Sequence, residues 1–159
     1  MLSYKLLFFL PLISTIFTYP FGVLLGEKTA QYFSSTLISI AAILSWFLFI
    51  SFSSSSSSEI IIPVLEWFFV SGQFFNWGIS VNSLTLLMLT LVLTVSALVH
   101  IYSIEYMSHD NSKVRFMTYL SLFTFCMVAL VVSDNLIQLF FGWEGVGLAS
   151  YLLIGFWHH

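Results

Sequence analysis

The stretch from Gln138 to Trp157, "QLFFGWEGVGLASYLLIGFW", decides how this chain folds. Its 20 residues contain a single charged side chain, Glu144, near the middle. A helix rises about 1.5 Å per residue and the hydrocarbon core of a bilayer is about 30 Å thick, so about 20 apolar residues cross it. The stretch therefore predicts a transmembrane helix that carries a carboxyl group close to the bilayer centre.

The rest of the 159 residues has the same apolar character. Hydrophobic residues make up 59% of the chain, charged residues only 7%, and the mean hydropathy is +1.01. A soluble domain carries roughly a quarter charged residues, so this chain has too few to solvate a globular surface. We predict an all-α integral membrane protein. The net charge of −3 gives no sign of a polyelectrolyte partner, and nucleic acid is not expected.

Charged residues divide the chain into apolar spans. We predict about five transmembrane helices, of which the fourth is short, near residues 5–26, 30–52, 81–104, 116–133 and 135–157. The chain then has three regions, namely helices one and two (1–52), a connection (53–80), and helices three to five (81–159). Lysine and arginine favour the inner side of a membrane, and Lys28, Lys113 and Arg115 outnumber Lys5, which predicts an outer N-terminus.

The long connection joins helices two and three. It begins with six serines, Ser53 to Ser58, for which we predict a flexible spacer. The segment from Glu66 to Val81, "EWFFVSGQFFNWGISV", predicts a short β-hairpin outside the membrane that turns at Ser71–Gly72. Trp67 and Trp77 suit the level of the lipid headgroups. We expect such a hairpin to brace its neighbours.

Small residues on helix five indicate close packing. Gly142, Gly145 and Ala149 share one face, along which another helix can approach, and we expect that helix to come from another polypeptide. No strand precedes these glycines, so a nucleotide-binding loop is not predicted. Ser133 or Asp134 is expected to cap the start of the helix.

Glu144 has three interpretations. A charge near the bilayer centre costs at least about 2.5–3.5 kcal/mol, so the side chain should face protein or water. It can be a neutral packing element, half of an ion pair, or a group that transfers protons or ions. Lys5, Lys28, Lys113 and Arg115 all lie at predicted helix ends, so a deep cationic partner must come from another chain.

Two further side chains are candidates for a supporting role. Tyr151 shares the face of Glu144 and can donate a hydrogen bond to it. His100 lies near the inner end of helix three, with Ser96 one turn before it. It is either an interfacial histidine held by a hydroxyl or carbonyl group, or a point of proton access, because imidazole titrates near neutral pH.

Two long segments carry a family resemblance. They are "SLTLLMLTLVLTVSALVHIYSIEYMSHD", residues 83–110, and "RFMTYLSLFTFCMVALVVSDNLIQLFFGWEGVGLASYLLIGFW", residues 115–157. They resemble the first third of NADH dehydrogenase subunit 5, the antiporter-like membrane subunit of respiratory complex I. The first 80 residues agree with that family in layout but not in distinctive motifs. The phrases "IYSIEYMSHD" and "FTFCM" are most similar to the mitochondrial branch.

The resemblance implies a role for Glu144. It matches the glutamate of the family's G-W-E-G-V-G-L motif, which pairs with a lysine on the seventh helix in a proton-translocating half-channel driven by quinone reduction elsewhere. NADH, FMN, iron–sulfur clusters and ubiquinone are bound by other subunits of such a complex, so no cofactor or metal is expected in this chain. The resemblance also implies a multi-pass protein of the mitochondrial inner membrane, with lipid and other complex I membrane subunits as partners.

The chain departs from the family pattern at two places. Asn82 stands where the family usually has an aspartate, and the sequence stops at "GFWHH", just after helix five. We therefore expect a split subunit, completed by a second polypeptide that carries the remainder of subunit 5. The predicted function is the N-terminal part of a membrane-arm subunit of proton-pumping NADH:ubiquinone oxidoreductase. The alternatives are a non-catalytic membrane scaffold or assembly subunit, and a subunit of a multisubunit cation/proton antiporter.

Overall fold

A computed structural model describes residues 1–54, 59–70 and 72–157, so residues 55–58 of the predicted serine spacer and the first residue of the predicted turn lie outside it. Five long helices and one two-stranded sheet make up the described part. In chain order they are α1 (Leu2–Leu25), α2 (Glu27–Ser53), β1 (Ile60–Val70), β2 (Gln73–Val81), α3 (Ser83–Tyr106), α4 (Lys113–Val131) and α5 (Leu136–Ile154), with a final 3₁₀ turn at Gly155–Trp157.

The predicted class of fold is confirmed. Each of the five helices is long and apolar enough to cross a membrane, and the hairpin between α2 and α3 is the small sheet. Gly26 separates α1 from α2, because its φ of +97° belongs to the left-handed region, which side chains with a Cβ rarely adopt.

Helices α1 to α4 form a four-helix bundle. The α1 helix packs against α2 and α4, and α3 contacts both α2 and α4 from the other side. Leu7, Ile38, Leu93 and Val128 are buried in the apolar part of this bundle. The α5 helix packs on α4, outside the bundle. One face of α5 is therefore covered by this chain, and the rest is open to lipid or to further protein.

The hairpin is longer than predicted. Its antiparallel register runs from Ile60 opposite Val81 to Val70 opposite Gln73, so β1 begins six residues before the expected start at Glu66. The register shifts just after Pro63, whose nitrogen cannot donate a ladder hydrogen bond. At the tip, Gly72 has a φ of +87°.

Aromatic rings attach the hairpin to α5. The ring centroids of Trp67 and Trp77 lie 5.2 Å apart, and the Trp77 ring lies 4.9 Å from that of Phe141 on α5. The two tryptophan rings thus pack against other rings of the protein. The predicted position at the level of the lipid headgroups did not include these contacts.

The start of α5 corrects one prediction. Its N-cap is Asn135, whose side-chain oxygen accepts a hydrogen bond from the Gln138 N–H at 2.9 Å, and not Ser133 or Asp134. The Ser133 hydroxyl donates instead to the Leu130 carbonyl, and the Asp134 carboxylate accepts from the Asn135 amide. Because Ser133, Asp134 and Asn135 are all residue types that cap helices, the sequence does not show which of them is the cap.

Asn82 has the corresponding role for α3. Its side chain accepts a hydrogen bond from the Thr85 N–H at 2.8 Å and so caps the helix. The position that departs from the family pattern is therefore occupied by a residue well suited to capping.

A buried amide pairs α5 with the hairpin. The Gly78 N–H donates to Gln138 Oε1 at 3.2 Å, and Gln138 Nε2 donates to the Gly78 carbonyl at 2.9 Å. A second link joins the Ser80 N–H to the Val132 carbonyl at 2.9 Å. The Gln138 side chain thus pairs with the Gly78 backbone as a residue of a neighbouring strand would. This pairing holds the hairpin over the ends of α4 and α5.

Gln138→Leu is expected to loosen the hairpin. The substitution leaves the buried N–H and C=O of Gly78 unpaired, at a cost of about 1–3 kcal/mol for such a group. Limited proteolysis of the hairpin in membrane vesicles should become about tenfold faster, because cleavage follows the population of the open form. Leu136→Ala, in the same turn of α5 but 83% exposed, is the matched control. Equal cleavage rates for the two variants would show that this pairing does not hold the hairpin.

Candidate functional site

Glu144 lies on the open face of α5. Gly142 and Ala149 are buried against α4, and Glu144 is two residues from the first and five from the second. At about 100° per residue this places it on the side of the helix opposite α4. The residue is exposed, and among the described residues its carboxyl group has no hydrogen bond or ion pair. A partner for this acid must therefore come from outside the described part of the chain.

Tyr151 lies on the same open face and is 74% exposed. Gly147 and Leu148, which lie between Glu144 and Tyr151, are also exposed. Within the described residues no hydrogen bond joins the Tyr151 hydroxyl to Glu144, which lies two helical turns, or about 10 Å, away along the axis. The supporting role of Tyr151 stays a prediction.

The small-residue face of α5 is occupied by α4 of the same chain. A Cβ added at Gly142 would lie 2.7 Å from the backbone nitrogen of Leu130, and one added at Gly145 would lie 2.7 Å from Cys126 Sγ. Ala149 is fully buried. The expectation that this face awaits a helix from another polypeptide is wrong, because the short loop after α4 brings α4 itself onto it. Within the part of the chain that the structure describes, no further helix covers the face with Glu144.

His100 is fully buried among the four bundle helices. Its Nδ1 lies 2.8 Å from the Ser96 carbonyl oxygen, and its Nε2 lies 3.2 Å from the Ser121 hydroxyl. A carbonyl oxygen only accepts, so Nδ1 carries the proton in this arrangement. The neutral ring then accepts from Ser121 at Nε2. The carbonyl and hydroxyl partners are those expected for a structurally held histidine.

Three buried serine hydroxyls continue from His100. Ser14 of α1, Ser34 of α2 and Ser121 of α4 form a triangle, with Oγ–Oγ distances of 3.1 Å (Ser14–Ser34), 2.9 Å (Ser14–Ser121) and 2.8 Å (Ser34–Ser121). All three are fully buried. We call this set with His100 the hydroxyl cluster. Single serines in apolar helices gave no sign of it, because the three residues come from distant parts of the sequence.

A second hydroxyl pair lies on the other side of the imidazole. Ser96 Oγ is 3.3 Å from His100 Nδ1 and 2.5 Å from Thr124 Oγ1. Both hydroxyl-bearing residues line an apolar groove of about 450 Å³ between α3, α4 and the end of α5. The Ser96 position, one turn before His100, was the only part of this network that helical spacing indicated.

The structure does not bring the two titratable groups together. His100 lies inside the bundle and Glu144 on the outer face of α5, with α4 between them. Within residues 1–54, 59–70 and 72–157, no three His, Cys, Asp or Glu side chains form a group able to hold a metal ion. These features define a multi-pass membrane protein with a separate buried imidazole and, in one span, a carboxyl group that has no partner among the described residues.

Comparisons with known proteins give the family. Residues 67–117 match the family model described as NADH-Ubiquinone oxidoreductase (complex I), chain 5 N-terminus. Over 156 residues the chain is 46% identical to NADH-ubiquinone oxidoreductase chain 5 of Arabidopsis thaliana, a match that covers 97% of this chain and 23% of that protein. Over 142 residues it is 47% identical to NADH-quinone oxidoreductase subunit L of Rhodobacter capsulatus, covering 85% and 20%. The chain belongs to this family and corresponds to its N-terminal portion.

The match covers nearly the whole of this chain but only part of its relatives. The chain spans less than a quarter of the length of these curated relatives. The similarity also reaches into the first 80 residues, which agree with the family in more than layout, since 97% of the chain is covered. Both the plant chain 5 and the bacterial subunit L match at nearly the same identity.

Proposed function

We propose that this chain is the N-terminal part of a membrane-arm subunit of a proton-pumping NADH:ubiquinone oxidoreductase, and that Glu144 takes part in its proton translocation. The observation that carries the proposal is an acidic side chain within a membrane span, on a helix face that the described chain leaves uncovered. An acid in that position is costly unless protein or water surrounds it. Family membership implies a membrane complex whose other subunits can provide this protein surrounding for the acid.

The proposal includes a cationic partner for Glu144. Lys5, Lys28, Lys113 and Arg115 lie in the first turns of helices or next to loops. A deep lysine must therefore be supplied either by a continuation of this chain or by a second polypeptide that carries the remainder of the subunit. In this proposal the cation pairs with Glu144, and its approach and withdrawal drive proton transfer at the carboxyl group.

The electron-transfer chemistry belongs to other subunits in this proposal. We assign NADH, FMN, iron–sulfur clusters and ubiquinone to them, and only proton transfer to this chain. The other membrane subunits of the complex and lipid are its partners, and the mitochondrial inner membrane is its proposed location. Two other functions are the alternatives to this proposal. They are a non-catalytic scaffold and a subunit of a multisubunit cation/proton antiporter.

Co-purification tests the proposal. The chain, tagged in its native host and extracted in mild detergent, is expected to purify with NADH:quinone oxidoreductase activity, whereas an equally tagged unrelated membrane protein should not. Intact-mass measurement of the tagged species then separates the two sources of a partner, because residues 1–159 alone have a mass of 18.1 kDa. Purification of the chain with an antiporter, or without NADH oxidation, would contradict the proposal.

A further inference from the structure

A small polar pocket opens between the loop-side ends of α2, α3 and α4. Its volume is about 160 Å³, and Lys28, Gln31, Glu105, Ser108 and Lys113 contribute to its wall. A water molecule occupies about 30 Å³ in the liquid, so the pocket has room for several. It lies on the side that carries Lys28 and Lys113, which the charge distribution predicts to be the inner side of the membrane.

Gln31 indicates what fills this pocket. Its side chain is 2% exposed, and Nε2 has no hydrogen-bond partner among the described residues. A buried amide without a partner costs about 1–3 kcal/mol, so an occupant with an acceptor oxygen is expected beside it. Lys28 and Glu105 are of opposite charge, and Lys113 is paired with Glu27 at 3.0 Å. The wall therefore has no excess charge to select an ion, which favours water.

One turn of α2 separates the pocket from the hydroxyl cluster. Ser34 lies one helical turn from Gln31 on the buried face of α2, and residues three apart are neighbours on a helix. The hydrogen bonds beyond it have a direction. Because His100 Nε2 accepts, Ser121 donates to it, and the Ser121 oxygen then accepts from Ser34. The Ser34 and Ser121 hydroxyls therefore both donate in the direction of the imidazole.

We propose that this pocket is a water-filled proton inlet that leads through Ser34 and Ser121 to His100; the proposal rests on the proposed proton-translocating function. A proton from water joins Ser34 Oγ, the Ser34 proton moves to Ser121 Oγ, and the Ser121 proton moves to Nε2, so the imidazole becomes imidazolium. Release from Nδ1 to Ser96 Oγ, at 3.3 Å, leaves a neutral ring with its proton on Nε2. Thr124, which contacts Ser96, continues this path to the wall of the large groove.

Water access to Gln31 is tested by cysteine labelling. In native membranes carrying a Cys126→Ala version of the chain, Gln31→Cys is treated with a charged, membrane-impermeant methanethiosulfonate. Only a thiolate reacts, and a thiol ionises only where water reaches it, so labelling from the Lys28 side should be at least about tenfold faster than for Ser45→Cys. Ser45 is the matched control because it is a fully buried residue of α2 whose hydroxyl donates to the Ala42 carbonyl of its own helix. Equal rates, or faster labelling from the opposite side, would overturn the inlet.

Ser121→Ala tests the path beyond the pocket. In vesicles that contain the assembled complex, it should lower the number of protons translocated per NADH oxidised severalfold, whereas Ser45→Ala should not change it. An unchanged ratio in Ser121→Ala would remove the hydroxyl cluster from the path. Labelling of Gln31→Cys requires no NADH oxidation, so it decides the inlet separately from the co-purification that decides membership of the complex.

Discussion

Glu144→Gln is expected to abolish proton translocation by the complex that contains this chain while leaving the complex assembled. The amide has the shape of the carboxyl group but cannot release a proton, and loss of a positioned proton-transfer group typically costs 10²- to 10⁴-fold in rate, about 3–5 kcal/mol. Glu144 has no hydrogen bond or ion pair within the described chain, so the substitution breaks no bond of this fold.

Inverted membrane vesicles with a pH-sensitive dye provide the measurement, with NADH oxidation followed in parallel. Glu66→Gln, at an exposed carboxylate of the hairpin, is the control and should pump like the unsubstituted protein. Normal proton translocation by Glu144→Gln would make Glu144 a packing element. Loss of assembly in this variant alone would show that its charge, and not proton transfer, is needed there.

Gly142→Val is expected to have the largest effect on folding. A Cβ at this position would lie 2.7 Å from both the nitrogen and Cα of Leu130, and backbone cannot move aside as a flexible side chain can. The α5 helix must then separate from α4, and overpacking of this kind costs about 1–3 kcal/mol or more. We expect little of the variant to accumulate in membranes.

Gly147→Val is the matched comparison, since a Cβ at Gly147 has nothing within 4 Å in the described structure. The amount of each variant in membranes and the melting temperature of the purified complex are measured. Accumulation of Gly142→Val to the level of the unsubstituted protein would contradict the packing of α5 on α4. Because Gly147 shares the face of Glu144, a loss of assembly confined to Gly147→Val would show that a further helix covers this face.

The elements of this fold were largely predictable because each responds to a local signal. Hydropathy and charge spacing located five helices, and the Ser-Gly pair between aromatic runs located the hairpin. The boundaries were less predictable. Ser133, Asp134 and Asn135 all suit a helix cap, and the strand residues before Glu66 became evident only through their pairing with β2.

The candidate site was predictable only in part. Glu144 was conspicuous as an acid in an apolar span, and the helical repeat was sufficient to place Tyr151 on its face. The partners of His100 were not, because Ser14, Ser34 and Ser121 come from three helices. A serine in a membrane helix can face lipid, bond its own helix or join a cluster, and its own sequence neighbours do not distinguish these.

The sequence by itself determined that the chain has five segments long and apolar enough to cross a membrane, and that the last of them carries an acid. Hydrocarbon imposes this on each segment separately, because the backbone of every span must satisfy its hydrogen bonds within its own helix. Only the tertiary structure decided which face of each helix is covered. Lipid and protein interior are equally apolar, so hydropathy cannot separate them. Helix packing placed His100 inside a cluster of hydroxyls, α4 on the glycines of α5, and Glu144 on the face that remains open.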